Sequence, residues 1–201
     1  LRWLAHDASN EMRALYMVNR AENYVQFVNA LETYTCPGQN FVYADVNGNI
    51  AIWHSGNQPA KWDGQGMLIM DGNDPIYDWQ AIIPHGQKPH ILNPKRGYVS
   101  SANQHVTDED YPYFLSPFFW MSYRGSQINQ QLDKLKSADV DDMKQLQFNN
   151  TNGKAKNVLP VLLNILHSEQ LSADANQWLT TMKAWDYKNT KSSIEASFFD
   201  T

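Results

Sequence analysis

Apolar positions along this 201-residue chain change their period twice. Residues 9–34 read as helical. Asn23 is a fair N-cap there, and Tyr24, Phe27, Val28 and Leu31 follow it at i, i+3, i+4 and i+7. Pro37-Gly38 ends that stretch. Residues 40–103 read as β. Two runs, Phe41–Val46 and Asn49–His54, flank Asn47-Gly48, a dipeptide suited to a type I′ hairpin turn in which both central residues have positive φ. The alternation puts Phe41, Tyr43 and Asp45 on one face and Val42, Ala44 and Val46 on the other. Residues 77–84 and the stretch GYVSSAN (97–103) read as further strands, giving an antiparallel sheet of at least three.

From Arg124 onward the helical period returns. Ile128, Leu132 and Leu135 mark a helix over 124–136, and Ser137 caps another whose first turn carries Asp139, Asp141 and Asp142. Val158, Leu159, Leu162, Leu163 and Leu166 form a stripe in which Pro160 kinks the helix or sets its start nearby. Ser172 opens a last helix with Trp178, Leu179, Met182 and Trp185. Helix, sheet, then helices predict an α+β fold in which helices cover an antiparallel sheet. The division expected is 1–123, helix plus sheet, and 124–201, mainly helical.

Composition narrows the functional classes. Hydrophobic residues make up 42% and aromatics 12%, enough for a real core. The net charge of −5 comes from 16 basic and 21 acidic residues without a basic stripe, which argues against nucleic acid as partner. No apolar run approaches the roughly 20 residues a membrane span needs. Cys36 is the single cysteine, so no internal disulfide forms.

Familiar catalytic motifs are missing: there is no GxSxG elbow, P-loop, GxGxxG or HExxH. His85 and His90 lie five apart in a Pro-rich stretch and read as surface loop residues. Asp45-Val46-Asn47-Gly48-Asn49 resembles part of a calcium loop, yet no Glu closes the frame, and a hairpin turn accounts for it better. Asp71-Gly72-Asn73-Asp74 reads as a plain turn. Asn103, at the end of GYVSSAN, has two readings: an amide satisfying its own backbone, or an N–H donor for a developing oxyanion. Spacing alone favours the first. Arg124 also has two, because a cation at a helix start is opposed by the dipole: an exposed side chain at a frayed end, or a charge that a nearby site requires.

Taken in order, the stretches QNFVYADVNGNIAIWHSGNQP, GYVSSANQHVTDEDYPYF, YRGSQIN and MKQLQFNNTNGKAKNVLPVLL resemble the β chain of the penicillin acylase (penicillin amidase) family of N-terminal nucleophile hydrolases. The resemblance runs over nearly the whole chain. It implies part of an αββα sandwich and a precursor that cuts itself to expose a Ser at the start of the β chain. That Ser attacks an amide with its own α-amino group as base. By motif position the oxyanion-holding Asn is Asn103, and the Arg that orders the centre is Arg124. The resemblance further implies a small-molecule amide as substrate, the α chain and the β-chain N-terminal segment as partners, and a periplasmic or secreted location.

Two departures qualify it. Leu1 stands where a nucleophile would be needed, so the chain is expected to be an internal piece of the β chain and inactive alone; Arg20, Ser100 and Ser101 are not substitutes. No cofactor is expected for catalysis. Family members carry a structural calcium with an acidic ligand after YP, but no acid stands between Tyr111 and Arg124 and Ser116 is the nearest polar candidate. Alternative functions are an acyl-homoserine lactone acylase of the same superfamily, or a non-catalytic small-molecule-binding or scaffolding module.

Overall fold

The computed structural model describes residues 2–167 and 169–201. Its contacts separate two compact units, one ending at Met121 and the other beginning at Ser122.

The first unit opens with two helices, α1 (Glu11–Val18) and α2 (Tyr24–Leu31), where the helical period had marked one region. Each carries an Asx cap: Asn10 accepts from the Arg13 N–H and Asn23 from the Gln26 N–H. Strands β1 (Gln39–Ala44) and β2 (Ile50–Ser55) then form the expected hairpin, with Ala44 opposite Ile50 and Asn40 opposite His54. Its turn differs from the expected I′ type. Gly48 alone among the turn residues has positive φ, at 83°, and its N–H donates to the Asp45 carbonyl. That is the longer loop with a glycine bulge. The Asp45 carboxylate accepts from the Asn47 and Asn49 N–H groups, the Tyr43 hydroxyl and the Asn49 amide. These bonds, the Asn49 side chain first, hold its pKa below the usual carboxylate value. Asp45 therefore organises a turn.

The third strand is β5 (His90–Leu92), antiparallel to β2, and not 97–103. Asn93 ends this ladder: its N–H donates to the Ile50 carbonyl while its side-chain oxygen takes the Ile50 N–H. Pro94 follows without a donor, and GYVSSAN forms no strand. The expected strand 77–84 shrinks to β4 (Ala81–Ile82), paired with β3 (Pro59–Ala60), after a 3-10 turn over Pro75–Tyr77.

Helix α2 covers one face of the sheet. Phe27, Leu31 and Trp53 are buried there, with Tyr24, Phe41 and Tyr43 packed around them, while Val42 and Val46 point away and are exposed. His85 and His90 are not loose loop residues. The His90 ring stacks on Trp53 with centroids 4.0 Å apart, and His85 lies 5.1 Å from it and bonds the Val28 carbonyl.

The second unit consists of α3 (Tyr123–Leu132), α4 (Val140–Gln147), α5 (Gly153–Leu166), α6 (Ala173–Ala184) and α7 (Ile194–Asp200). Asp139, not Ser137, caps α4, in a reciprocal box with Asp142. Helix α5 starts seven residues before Pro160 and runs through it. Ser172 caps α6 as expected, and α7, capped by Ser193, is an element the apolar spacing did not mark. Ala155, Leu159, Met182, Trp185 and Ala196 form the core. Close approach of α3 and α5 needs Gly153, since a Cβ there would lie 2.9 Å from the Tyr123 carbonyl oxygen. Among the described residues no helix is long and apolar enough to cross a membrane.

Candidate active site

Asn103 sits in the first unit with φ of 63°, in the left-handed region that non-glycine residues seldom enter and that Asn tolerates best. Backbone held in such a conformation concentrates at working sites. Its surroundings fix it from several sides. Ala102 is buried and its N–H donates to the Gln104 side-chain oxygen at 2.7 Å. The Asn103 carbonyl accepts from the Trp120 N–H at 3.1 Å. Asn103 itself is exposed. The result is an amide-bearing residue carried on a pinned turn beside a buried alanine.

One further restraint reaches this turn from the hairpin. Asn40 Nδ2 donates to Ser101 Oγ at 2.7 Å, and Asn40 Oδ1 meets His54 Nδ1 at 2.7 Å. Because the Asn40 oxygen faces the ring, His54 Nδ1 is the donor. Burial first, and the Lys88 ammonium second, push the His54 pKa below its ordinary value, so the ring stays neutral near pH 7. Asn40, His54 and Ser101 also line a cavity of about 620 Å³ with Lys95, Arg96 and Tyr111. This grouping was missed in the sequence. Hairpin register places 40 opposite 54, but nothing local ties Ser101 to them.

Ser101 is not equipped as a nucleophile. Such a serine needs a base within about 2.6–3.2 Å, and here Asn40 stands between it and His54. Arg20 lies over the Tyr16 ring. Arg124 belongs to the second unit, where it is the second residue of α3 and exposed. Asn103 and Arg124 thus fall in different units.

The residues present do not fit a calcium ligand set in the aromatic stretch. Ser116 Oγ donates to the Phe118 carbonyl and accepts the Phe118 N–H, so a neutral hydroxyl already engaged in a turn stands where the resemblance calls for a carboxylate. No three His, Cys, Asp or Glu gather as a metal group among the described residues.

A sequence profile of the family described as penicillin amidase matches residues 1–201. Penicillin G acylase of Escherichia coli is 31% identical over 96 residues, 48% of this chain and 11% of that protein. Acyl-homoserine lactone acylase QuiP of Pseudomonas aeruginosa is 25% identical over 150 residues, 75% of this chain and 18% of that protein. Among solved structures, thermostable penicillin G acylase from Alcaligenes faecalis superposes with a TM-score of 0.74 at 18% identity, covering 95% of this chain and 36% of the other. The chain spans 11% to 24% of the length of the curated relatives it matches. The architecture is thus α+β, that of an N-terminal nucleophile hydrolase.

Proposed function

The chain belongs to the penicillin amidase family, and from that membership we propose that the complete protein is an amidohydrolase acting on N-acylated small molecules, with Asn103 as an oxyanion donor. The observation that carries the reading is the Asn103 conformation: a left-handed, exposed Asn at the end of GYVSSAN, on a turn held by the Ala102–Gln104 and Trp120–Asn103 bonds.

The nucleophile is a Ser hydroxyl at the start of the β chain, contributed from outside these 201 residues. Its oxygen attacks the amide carbon while its proton passes to the Ser α-amino group. As the carbonyl π bond opens, the Asn103 Nδ2–H donates to the oxygen that gains charge. Collapse breaks the C–N bond, and the departing amine takes the proton. Water then hydrolyses the acyl-enzyme and releases a carboxylic acid. Arg124 is assigned to order the centre. The same reading makes the rest of the precursor the macromolecular partner and the periplasm or exterior the location. The exposed apolar residues Val161, Leu162, Ile165 and Trp178 support such a partner, because isolated chains seldom leave them uncovered together.

The similarity to an acyl-homoserine lactone acylase supports a second substrate class, an acyl amide whose amine is a lactone. Assay of the complete protein on aryl-acetyl amides and on N-acyl homoserine lactones decides between them by which amine is released. Release of neither, from protein correctly processed at its Ser, contradicts the enzymatic reading and leaves a binding module.

A further inference from the structure

The segment that bears Asn103 has no ladder of its own, so something other than strand pairing must hold it. Asn40 and His54 are direct partners across the β1–β2 hairpin, on the face turned away from Phe41 and Trp53. The chain of bonds from His54 through Asn40 to Ser101 spans 14 and then 61 residues. Both ends of the Asn40 amide are used, and His54 can serve only one way round. A half-buried chain so satisfied has one geometry, and its members strengthen one another.

We propose that Asn40, His54 and Ser101 are positioning residues that transmit the rigidity of the hairpin to the turn carrying Asn103. The proposal rests on the acylase reading of Asn103. An oxyanion donor works at about 2.7–3.1 Å from where the charge develops. Ser101 lies two residues before Asn103, with only buried Ala102 between them. Release of Ser101 lets the turn relax, and a displacement near 1 Å is enough to cost on the order of 100-fold in rate. Neither Asn40 nor His54 needs to touch substrate for this effect.

The test uses the complete, processed protein. Asn40→Ala and Ser101→Ala are expected to lower kcat by about 10- to 100-fold while KM changes little. Ser101→Thr, which keeps the hydroxyl, restores most of the rate. The diagnostic is the pair of doubles: in an Asn103→Ala background, neither Asn40→Ala nor Ser101→Ala lowers kcat further, because the donor they position is gone. If Asn40→Ala does not fold, Ser101→Ala removes a single hydroxyl and answers the question alone. An unchanged kcat in folded Ser101→Ala, equal losses in its Ala and Thr variants, or losses that multiply in the doubles overturn the relay. Full activity in Asn103→Ala overturns the oxyanion reading itself, so the two failures are told apart.

Discussion

The two units solve the problem of order differently. In the second, four of the five described helices are specified close at hand: Asp139, Asn152, Ser172 and Ser193 cap their own first turns, and an apolar core of Leu159, Met182 and Trp185 joins the elements. The first unit caps its opening helices locally too, at Asn10 and Asn23, but adds polar groups bonded at long range. Among the described residues the buried polar side chains, Ser55, Gln65 and Lys88, all belong to it, and so does the His54–Asn40–Ser101 chain. Local capping makes stable helices. Holding one amide at a defined angle takes bonds that cross the sequence, and the first unit carries such bonds beside Asn103.

The sharpest way to break this contrast is to empty one core and watch both units. Trp53→Ala should cost the first unit about 3–5 kcal/mol, and Leu159→Ala the second about 2–5 kcal/mol. Residue-resolved hydrogen exchange on the 201-residue chain should show each loss confined to its own unit; uniform loss would show that the division has no energetic meaning. Next comes Gly153→Ala, where the added carbon meets the Tyr123 carbonyl oxygen. Overpacking of this kind costs about 1–3 kcal/mol, and the chemical denaturation midpoint of the second unit should fall.

Lys88 makes the contrast from the other side. It is 3% exposed, and among the described contacts it forms no ion pair; burial pushes its pKa down while Glu32 opposes. Lys88→Met should stabilise the first unit by on the order of 1 kcal/mol, read as a raised melting temperature. The smallest effect is on acidification. The pKa values of His54 and His85 are lowered in the fold, by burial first and then by Lys88. Below their ordinary value near 6.5 the unfolded chain binds protons that the folded one refuses, so stability is lost as pH falls through that window toward the folded values. Thermal melts between pH 7 and 5 should show this in the first unit, and His54→Phe should reduce the slope.

What could be read from the sequence follows the same division. The Asn23 and Ser172 caps, the hairpin and the inward face of Phe41 and Tyr43 are local signals, and they hold. The third strand stayed hidden because Pro89 and Pro94 bracket four residues that look like loop, while Tyr98 and Val99 look like strand but lie in none. Ser137 yielded to Asp139 because a carboxylate with Asp142 three residues on satisfies two donors reciprocally. For the candidate site, Asn103 is singled out by the family resemblance alone, and its left-handed backbone was not legible. Neither was its support, since Ser101 meets Asn40 only after folding.

Single-turnover acylation by the complete, processed protein and by its Asn103→Ala variant tests the central claim most directly. A rate for the variant about 100- to 1,000-fold lower, with substrate affinity little changed, is the predicted result. Equal acylation rates in the two proteins would contradict it.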